Sequence, residues 1–415
     1  MRIRKPPILS LLFSVVTLIC TAQNTLYDKY PFINADIDTI HYKGDALKSF
    51  FVKLKELKEG KRKNVVIVHI GDSHLQADFF SGMIRQHLQR DYGNAGRGLI
   101  FPYHVAGSNE PFNYRSSSTG EWKGRRCVLA TPTYIRVGIS GFGLRTDDSS
   151  ATLKINVKSN DSLNYSFNHM LLFHDAGPHC FNWVVYTSRN HKDSVVINDS
   201  AAKYGSAVDS IVFKDTMQVL SMCVRKSDTS KFEASTFGMV LTNNQPGILY
   251  HTIGANGARN ADYTHSEYFI QQLAALHPDL VIISLGTNEA YARNYSTPDF
   301  ENDMDTLYSN IKQVAPDADF LYTTPNDSYR NHKYKNPDVA EAAAAIKRTA
   351  EKHNAAYWDF YHIMGGFGSM QKWYLKHLSQ RDRVHFTVGG YTLQADLFYQ
   401  ALHKTIIDGL DKLAP

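Results

Sequence analysis

The sequence predicts an α/β domain that is built on a parallel sheet and interrupted by an antiparallel β-domain. Two patterns indicate this fold class. Near both ends of the chain, short apolar runs rich in β-branched residues alternate with helical segments, which is typical of parallel strands covered by helices on both faces. Between them, short alternating runs are separated by turn clusters, which is typical of an antiparallel sandwich.

The α/β parts contain four predicted buried strands, each a short apolar run. They span 64–70, 279–284, 319–323 and 356–360. Turns containing glycine end the first two of these runs. The remaining segments predict helices over 77–90, 299–314, 337–354 and 390–413. Strands that alternate with helices in this way imply a parallel sheet.

The middle of the chain shows no helical pattern. Its predicted strands span 134–139, 151–157, 183–186, 210–213 and 218–222, and the α/β pattern resumes near Tyr250. Because the first strand–turn–helix unit is too short to fold alone, we expect an inserted domain and not two domains in series. The predicted plan is a signal peptide at 1–22, a first α/β part at 23–111, an inserted β-sandwich at 112–246 and a second α/β part at 247–415.

The composition is that of a globular protein of 415 residues, with 43% hydrophobic and 20% charged residues. The formal net charge is +5, and Arg2, Arg4 and Lys5 account for three of the 45 basic residues. The other 42 basic residues face 40 acidic ones. A chain that is nearly neutral beyond its N-terminus lacks the basic face of a nucleic-acid-binding protein.

The N-terminus has the pattern of a secretory signal. A basic start at 1–5 and an apolar run at 8–19 precede Cys20-Thr21-Ala22, so we expect cleavage after Ala22. The run is short for a membrane anchor, which needs about 20 residues, and lipid attachment at Cys20 is a second alternative. We therefore expect an exported protein, periplasmic or extracellular, that does not span the membrane. Its three remaining cysteines allow at most one disulfide.

Two short motifs carry nucleophile and base chemistry. Ser73 follows a predicted strand and a Gly-Asp turn and precedes a helix, which places it at the carboxyl end of a sheet strand. Asp382 precedes His385 by three residues, close enough for the carboxylate to hold the imidazole in one tautomer. Each motif alone is weak, because Asp72 or Ser73 also suits a helix cap and the chain has 18 histidines.

Two further motifs supply candidate oxyanion donors. Asn288 follows the strand at 279–284, where a side-chain amide can donate to an oxyanion. Gly254 and Gly257 follow the run at 248–253, and a glycine lets a backbone N–H approach a ligand closely. Ordinary turns explain either motif alone. All four motifs, each at a strand end or a helix start, together indicate a Ser-His-Asp hydrolase.

These motifs resemble those of the SGNH, or GDSL-type, hydrolase family. The matching stretches are Gly71-Asp72-Ser73-His74, Gly254-Ala255-Asn256-Gly257, Gly286-Thr287-Asn288-Glu289 and Asp382-Arg383-Val384-His385. The resemblance implies a flavodoxin-like three-layer α/β/α fold in which Ser73 is the nucleophile, His385 the base and Asp382 its orienting carboxylate. It also implies an oxyanion hole made by the backbone N–H groups of Ser73 and Gly257 and the side chain of Asn288, with Gly254 as the rival to Gly257.

Further stretches resemble the peptidoglycan O-acetylesterase branch of that family. They lie at 71–80, 92–98 and 365–382. The resemblance implies a carbohydrate-binding-module-like β-sandwich within a secreted serine esterase that removes O-acetyl groups from a polysaccharide, with peptidoglycan as the favoured substrate. An acetylxylan-type esterase, a sugar O-acetyltransferase and a non-catalytic carbohydrate-binding protein remain alternatives. No metal or organic cofactor is implied.

Several other residues have two interpretations. Tyr291, Trp358 and Trp373 are candidates for stacking on a sugar or for core packing, and Asp78 and Arg259 for lining the pocket or holding turns. The histidines at 169, 174 and 179 recur every five residues. That spacing is unusual for metal ligands, so we expect no metal there.

Overall fold

The computed structural model describes residues 29–128, 134–159, 163–198 and 205–413. The predicted signal peptide at 1–22 lies outside the described residues. Within these ranges, no helix is both long enough and apolar enough to cross a bilayer.

A six-stranded sheet forms the centre of the α/β part. In spatial order its strands are β1 (Ile40–His41), β19 (Ala356–Trp358), β16 (Asp319–Thr323), β15 (Leu280–Ser284), β2 (Asn64–Gly71) and β14 (Gly247–Gly254). All neighbours are parallel except β1, which pairs antiparallel with β19 at the edge. In chain order, the strand of this sheet that follows β2 is β14, which lies beside β2 at the edge of the sheet. The next strand, β15, lies on the other side of β2. This is the flavodoxin-like order, with its topological switch point between β2 and β15.

Both faces of this sheet are buried, as expected for a parallel sheet. In β2, Val65 and Ile67 belong to one apolar core, whereas Val66 and Val68 belong to the other. Helices Lys48–Lys58, Phe79–Tyr92 and Val388–Lys412 cover the first face. Helices Asn260–Thr264, Phe269–Leu273, Thr297–Val314 and Asp338–Lys352 cover the second face. The result is the predicted three-layer α/β/α arrangement.

Further short helices complete the α/β part, among them Ser73–Gln76, Thr287–Tyr291, Phe360–Ile363 and Ser369–Leu375. A two-stranded hairpin pairs β17 (Tyr329–Arg330) with β18 (Tyr334–Lys335). The short helices after β2 and β15 begin at the switch point, where open α/β folds place their sites.

The segment between the two α/β parts forms two antiparallel sheets. One contains β4 (Tyr114–Thr119), β7 (Thr152–Val157), β12 (Val219–Arg225), β9 (Asn182–Tyr186) and β10 (Ser194–Ile197). The other contains β5 (Lys123–Arg126), β6 (Phe142–Thr146), β13 (Ala234–Thr242), β8 (Phe167–Ala176) and β11 (Gly205–Met217), and β3 (Gly98–Ile100) also pairs with β13. Alternate side chains of both sheets share one apolar core, which is the organisation of a β-sandwich.

The predicted strand at 134–139 is wrong. Ile135, Val137 and Ile139 are buried as their alternation suggests, but the segment joins none of the sheets that the described ranges form. The Val137 and Ile139 N–H groups donate instead to the side chains of Glu267 and Gln272 in the α/β part. Alternation therefore predicted burial correctly, but two of the N–H groups have their hydrogen-bond partners outside the sandwich.

The helix predicted over 77–90 begins two residues later, at Phe79. Asp78 adopts a left-handed conformation with φ of 59°, which separates this helix from the short helix Ser73–Gln76. The break gives Ser73 its own short helix, directly after β2.

Candidate active site

Ser73 lies at the carboxyl end of the central sheet, where open α/β folds place their sites. Strand β2 ends at Gly71, and a Cβ at that position would lie 2.9 Å from the Ser284 carbonyl oxygen and 2.6 Å from Leu75 Cδ1. Asp72 then caps the helix Ser73–Gln76 by accepting a hydrogen bond from the His74 N–H at 2.9 Å. Ser73 is partly exposed between buried neighbours, so its hydroxyl is accessible to a ligand.

The structure brings Ser73, His385 and Asp382 together from opposite ends of the chain. Ser73 Oγ lies 2.8 Å from His385 Nε2. His385 Nδ1 lies 2.7 Å from Asp382 Oδ2. Because an ionised carboxylate only accepts, Nδ1 carries the ring proton, Nε2 is the acceptor, and the serine hydroxyl donates to it. This is the geometry of a nucleophile, a base and an orienting carboxylate.

The loop that carries Asp382 and His385 is held by its own backbone. Asp382 Oδ1 accepts from the N–H groups of Val384 and His385, at 2.9 and 3.0 Å. Arg383 has a φ of 54°, in the left-handed region. Its carbonyl accepts from the Tyr329 N–H, and its guanidinium lies over the Tyr329 ring, 5.0 Å from the centroid. These contacts fix the carboxylate relative to the imidazole.

The two titratable members of this group have shifted pKa values. Burial alone would raise the pKa of Asp382, but hydrogen bonds from the His385 ring and from two backbone N–H groups hold it well below its usual range. Burial alone would lower the pKa of His385, but the hydrogen bond and negative charge of Asp382 raise it. The carboxylate therefore stays ionised and stabilises the protonated imidazole.

The candidate oxyanion donors are connected by hydrogen bonds to the helix that carries Ser73. Ala258 N–H donates to the Ala255 carbonyl at 2.9 Å, and Gly257 has a φ of +85°, which together define a type II turn. The Asn288 amide donates to the Ala258 carbonyl at 3.0 Å and to Asp72 Oδ2 at 3.2 Å. Gly257 and Asn288 are both partly exposed, like Ser73. Hydrogen bonds of the Asn288 amide thus connect the turn to the helix that carries Ser73.

The position of Gly254 does not suit a donor role. It ends strand β14, paired in register with Gly71 of β2. A Cβ there would lie 2.6 Å from the Gln76 backbone nitrogen and 2.9 Å from the Asp72 carbonyl oxygen. Gly254 therefore allows the strand to approach the helix Ser73–Gln76, whereas Gly257 lies in a turn and is partly exposed. Of the two glycines, the geometry favours Gly257 as the donor.

A pair of buried carboxyl groups lies beside Asn288, and sequence reasoning gave them no part in the site. Burial raises the pKa of Asp72 to about 6 and that of Glu289 to about 7. Glu289 accepts from both the backbone and the side-chain N–H of Asn260, at 2.9 and 2.8 Å. Asp72 accepts a hydrogen bond from the Asn288 amide itself. Glu289 lies in the same short helix as Asn288, Thr287–Tyr291, and connects it to Asn260. Both carboxyl groups therefore help to fix the amide.

His74 is a second residue that sequence reasoning passed over. Its ring stacks on that of His385, with centroids 5.1 Å apart. Its Nδ1 lies 3.0 Å from the Tyr391 hydroxyl, and burial lowers its pKa to about 3. A neutral ring therefore packs against the His385 imidazole and restricts its rotation. The only signal in the sequence was its position next to Ser73.

The remaining sequence candidates have structural roles. Trp358 and Trp373 are fully buried and belong to the core. Asp78 pairs with two buried arginines, and Arg259 forms an ion pair with Asp262 at the start of a helix. Tyr291 is exposed, and its hydroxyl accepts from the Asn331 N–H.

The cysteines and the histidine cluster hold no shared site among the described residues. Cys127, Cys180 and Cys223 form no disulfide with one another. The described part of the chain has no group of three or more side chains placed to hold a metal. The histidines at 169, 174 and 179 have separate partners, namely Thr242 and Ser210, Asp209, and the Ser230 carbonyl.

Comparison with known proteins gives one family match. Residues 229–393 match the sequence model of the GDSL-like Lipase/Acylhydrolase family. The matched segment contains Gly257, Asn288, Asp382 and His385, and Ser73 precedes it. No curated protein sequence matches the chain.

One of the solved structures compared shares the fold over most of the chain, and two others are reported for their partial overlap. A peptidoglycan O-acetylesterase has a TM-score of 0.74 at 21% identity, and the match covers 89% of this chain and 99% of that one. A family two carbohydrate esterase from Cellvibrio japonicus overlaps with a TM-score of 0.30 at 11% identity, covering 71% and 99%. A GDSL-like lipase from Bacteroides thetaiotaomicron overlaps with a TM-score of 0.29 at 16% identity, covering 38% and 76%.

The family match supports the predicted class of enzyme, a GDSL-type esterase, and the first of these solved structures shares the fold over most of the chain. The predicted resemblance to the SGNH, or GDSL-type, hydrolases, and in fold to peptidoglycan O-acetylesterase, is therefore confirmed.

Proposed function

We propose that this chain is an exported serine carbohydrate esterase that removes O-acetyl groups from a polysaccharide, most favourably peptidoglycan. The observation that carries the proposal is the hydrogen-bonded series Ser73, His385 and Asp382 at the switch point of the sheet. The basic and apolar N-terminal pattern supports export, to the periplasm or outside the cell.

The first half of the reaction acylates Ser73. His385 Nε2 takes the hydroxyl proton of Ser73 while Oγ attacks the acetyl carbonyl carbon. Asp382 stabilises the imidazolium that forms. The Ser73 and Gly257 N–H groups donate to the oxyanion, and the Asn288 amide joins them by giving up its 3.2 Å hydrogen bond to Asp72. The bond between the acetyl carbon and the sugar oxygen then breaks, and the sugar hydroxyl leaves with the proton from His385.

The second half regenerates the enzyme. His385 takes a proton from water, and the resulting hydroxide attacks the acetyl-serine carbonyl. The same donors hold the second oxyanion. The bond between the acetyl carbon and Ser73 Oγ then breaks as His385 returns its proton to Oγ, and acetic acid leaves and ionises to acetate in water. In a transferase a sugar hydroxyl would take the place of water in this step, which keeps that alternative open.

The choice of peptidoglycan is supported by the shared fold with a peptidoglycan O-acetylesterase over 89% of this chain, together with the sequence stretches that resemble that branch. An acetylxylan-type esterase is the second candidate, because the same site chemistry serves any acetylated sugar hydroxyl. A non-catalytic carbohydrate-binding protein is disfavoured, because all three residues of the triad are present and hydrogen-bonded.

Acetate release from two polymers tests the proposal. The chain without residues 1–22 and its Ser73→Ala variant are incubated with O-acetylated peptidoglycan and with acetylated xylan. We expect release from peptidoglycan that disappears in the variant. Release from xylan alone would keep the mechanism and change the substrate. Binding of either polymer without release by the folded protein would contradict the esterase proposal.

A further inference from the structure

Gln76 closes the short helix that begins with Ser73, and its side chain is buried, with 2% of its surface exposed. Both hydrogens of the amide and one lone pair of its oxygen take part in hydrogen bonds. Nε2 donates to Ser108 Oγ at 2.7 Å and to the Asn109 carbonyl at 2.8 Å. Oε1 accepts from the Asn256 N–H at 2.8 Å.

The partners of this amide come from two different segments. Asn256 is the second residue of the type II turn whose third residue is Gly257. Ser108 and Asn109 lie in the loop that leads into β4 of the sandwich. Because both amide hydrogens have acceptors in that loop, the oxygen must face the turn.

From this geometry we infer that Gln76 is a positioning residue for the oxyanion turn. It holds the Asn256 peptide, one peptide before the Gly257 N–H, at a fixed distance from the helix that carries Ser73. The inference rests on the proposed role of Gly257 as an oxyanion donor. A donor that is misplaced by about 1 Å stabilises the transition state much less, at a cost of roughly 10²-fold in rate.

The link also reaches the sandwich. The residue after Asn109 is Glu110, whose carboxylate accepts from the Ser116 N–H in β4 at 2.9 Å. The loop that orients the Gln76 amide is therefore attached to the β-domain. Through Gln76, the position of the oxyanion turn depends on how the β-domain packs against the α/β part.

Gln89 provides a matched control. It is buried to the same extent, with 2% exposed, and it also makes three hydrogen bonds. Nε2 donates to the carbonyls of Gly96 and Ile248, and Oε1 accepts from the Tyr165 hydroxyl. Ile248 lies at the opposite end of β14 from the oxyanion turn. Gln89 therefore reproduces the burial and bonding of Gln76 away from the nucleophile.

The test compares Gln76→Met with Gln89→Met, using 4-nitrophenyl acetate as the ester. Both variants lose three buried hydrogen bonds, so both should unfold at a lower temperature than the wild type. We expect kcat to fall about tenfold to hundredfold in Gln76→Met with KM within about twofold, and to stay within about twofold in Gln89→Met. Equal kcat changes in the two variants, or a change in KM alone, would overturn the inference.

Two additions keep the test decisive. If Gln76→Met does not fold, Gln76→Asn against Gln89→Asn replaces it, since the shorter amide cannot reach both segments, and the same kcat contrast is expected. If the wild type cleaves 4-nitrophenyl acetate but no acetylated polysaccharide, the proposed substrate fails while the Gln76 comparison still stands. If the wild type cleaves neither, the rate at which a fluorophosphonate labels Ser73 replaces kcat.

Discussion

His385 is the residue on which the proposed chemistry turns, because it accepts the Ser73 proton only when it is neutral. Asp382 raises its pKa, so the acid limb of the kcat/KM profile should lie above the ordinary imidazole value of about 6.5. Activity therefore rises with pH through that limb.

We expect Asp382→Asn to change both the rate and the profile. Without the negative charge the His385 pKa falls, so the acid limb moves to lower pH. The maximal rate should drop by about 10⁴, because the imidazolium loses its partner and the ring its tautomer. The measurement is kcat/KM for 4-nitrophenyl acetate against pH.

Asp359→Asn is the control for this substitution. Asp359 and His362 have the same spacing, with His362 Nδ1 2.9 Å from Asp359 Oδ2, but they do not contact Ser73. Asp359→Asn should leave the acid limb of the kcat/KM profile at the wild-type pH and keep the wild-type rate. An Asp382→Asn enzyme with an unmoved limb and full rate would show that His385 acts without Asp382.

At this scale the sequence was most informative about local pairs. Asp382 and His385 were predicted from a spacing of three residues, and the carboxylate is held by backbone N–H groups of the same short loop. Four residues were not assigned to the site, because their hydrogen-bond partners lie 29 to 317 residues away along the chain or because their pKa values depend on burial. They are Asp72, Glu289, His74 and Gln76. Neither distance nor burial can be deduced from one residue's type.

Among the elements, the end of β14 and the turn at 255–258 each need a glycine, Gly254 and Gly257, for different reasons. Gly257 is limited by its φ of +85°, and a Cβ there would meet only Val128, at 3.4 Å. Gly254 is limited by space, since a Cβ would lie 2.6 Å from a backbone nitrogen. Substitution should therefore affect catalysis at one position and folding at the other.

We expect Gly257→Ala to fold with a loss of about 1–2 kcal/mol, the cost of a left-handed alanine, and to lose about 10–10³-fold in kcat as the N–H is displaced. Gly254→Ala should unfold at a clearly lower temperature, because backbone must move. Thermal melts and kcat of both variants check this. A fully active Gly257→Ala would exclude that N–H from the oxyanion hole.

The central strands were predictable as elements because both of their faces are apolar. The run at 64–70 corresponds to β2, which ends one residue later, at Gly71. The strand predicted at 134–139 failed because the N–H groups of Val137 and Ile139 bond to side chains of a distant helical region. The helix expected from 77 starts at Phe79 because Asp78 is held in a left-handed conformation by buried charges, which no local pattern indicates.

For the whole molecule, those buried charges join the two parts of the protein. Asp78 accepts from Arg85 in the helix Phe79–Tyr92, from Arg97 at 2.9 Å and from the Asn113 amide at 2.8 Å. Arg97 directly precedes β3 and Asn113 directly precedes β4. The network therefore fixes the chain where it enters the sandwich.

We expect Asp78→Asn to destabilise the protein by about 3–5 kcal/mol, because two buried guanidinium groups lose their counter-charge. Asparagine tolerates the left-handed conformation, so the substitution isolates the charge. Denaturant unfolding measures the loss. Asp305→Asn removes the partner of Lys352 and His353 on the surface and should cost no more than about 1 kcal/mol. Equal losses in both variants would contradict this account.

The same network has a defined pH range. Burial opposes the charge of Asp78, but the two arginines hold its pKa far below the usual range. A group whose pKa is depressed by folding stabilises the folded state above its unfolded pKa, about 3.9, and loses this contribution as the pH falls below that value. We therefore expect Asp78 to stay ionised and paired with Arg85 and Arg97 at neutral and mildly acidic pH.

The sequence predicted the order of the whole molecule, an α/β domain carrying an insertion, because strand periodicity changes along the chain. It did not predict how the parts join. Strand β3 precedes the predicted insertion boundary at 112 and yet pairs with β13 of the sandwich. Such a pairing depends on contacts between segments about 140 residues apart along the chain.

The central claim is that Ser73 is the nucleophile and His385 its base. Incubation with a fluorophosphonate, followed by peptide mass mapping, tests it most directly. We predict one adduct, on Ser73, that is absent in Ser73→Ala and forms far more slowly in His385→Ala. An adduct on another residue, or labelling that persists in folded Ser73→Ala, would contradict the claim.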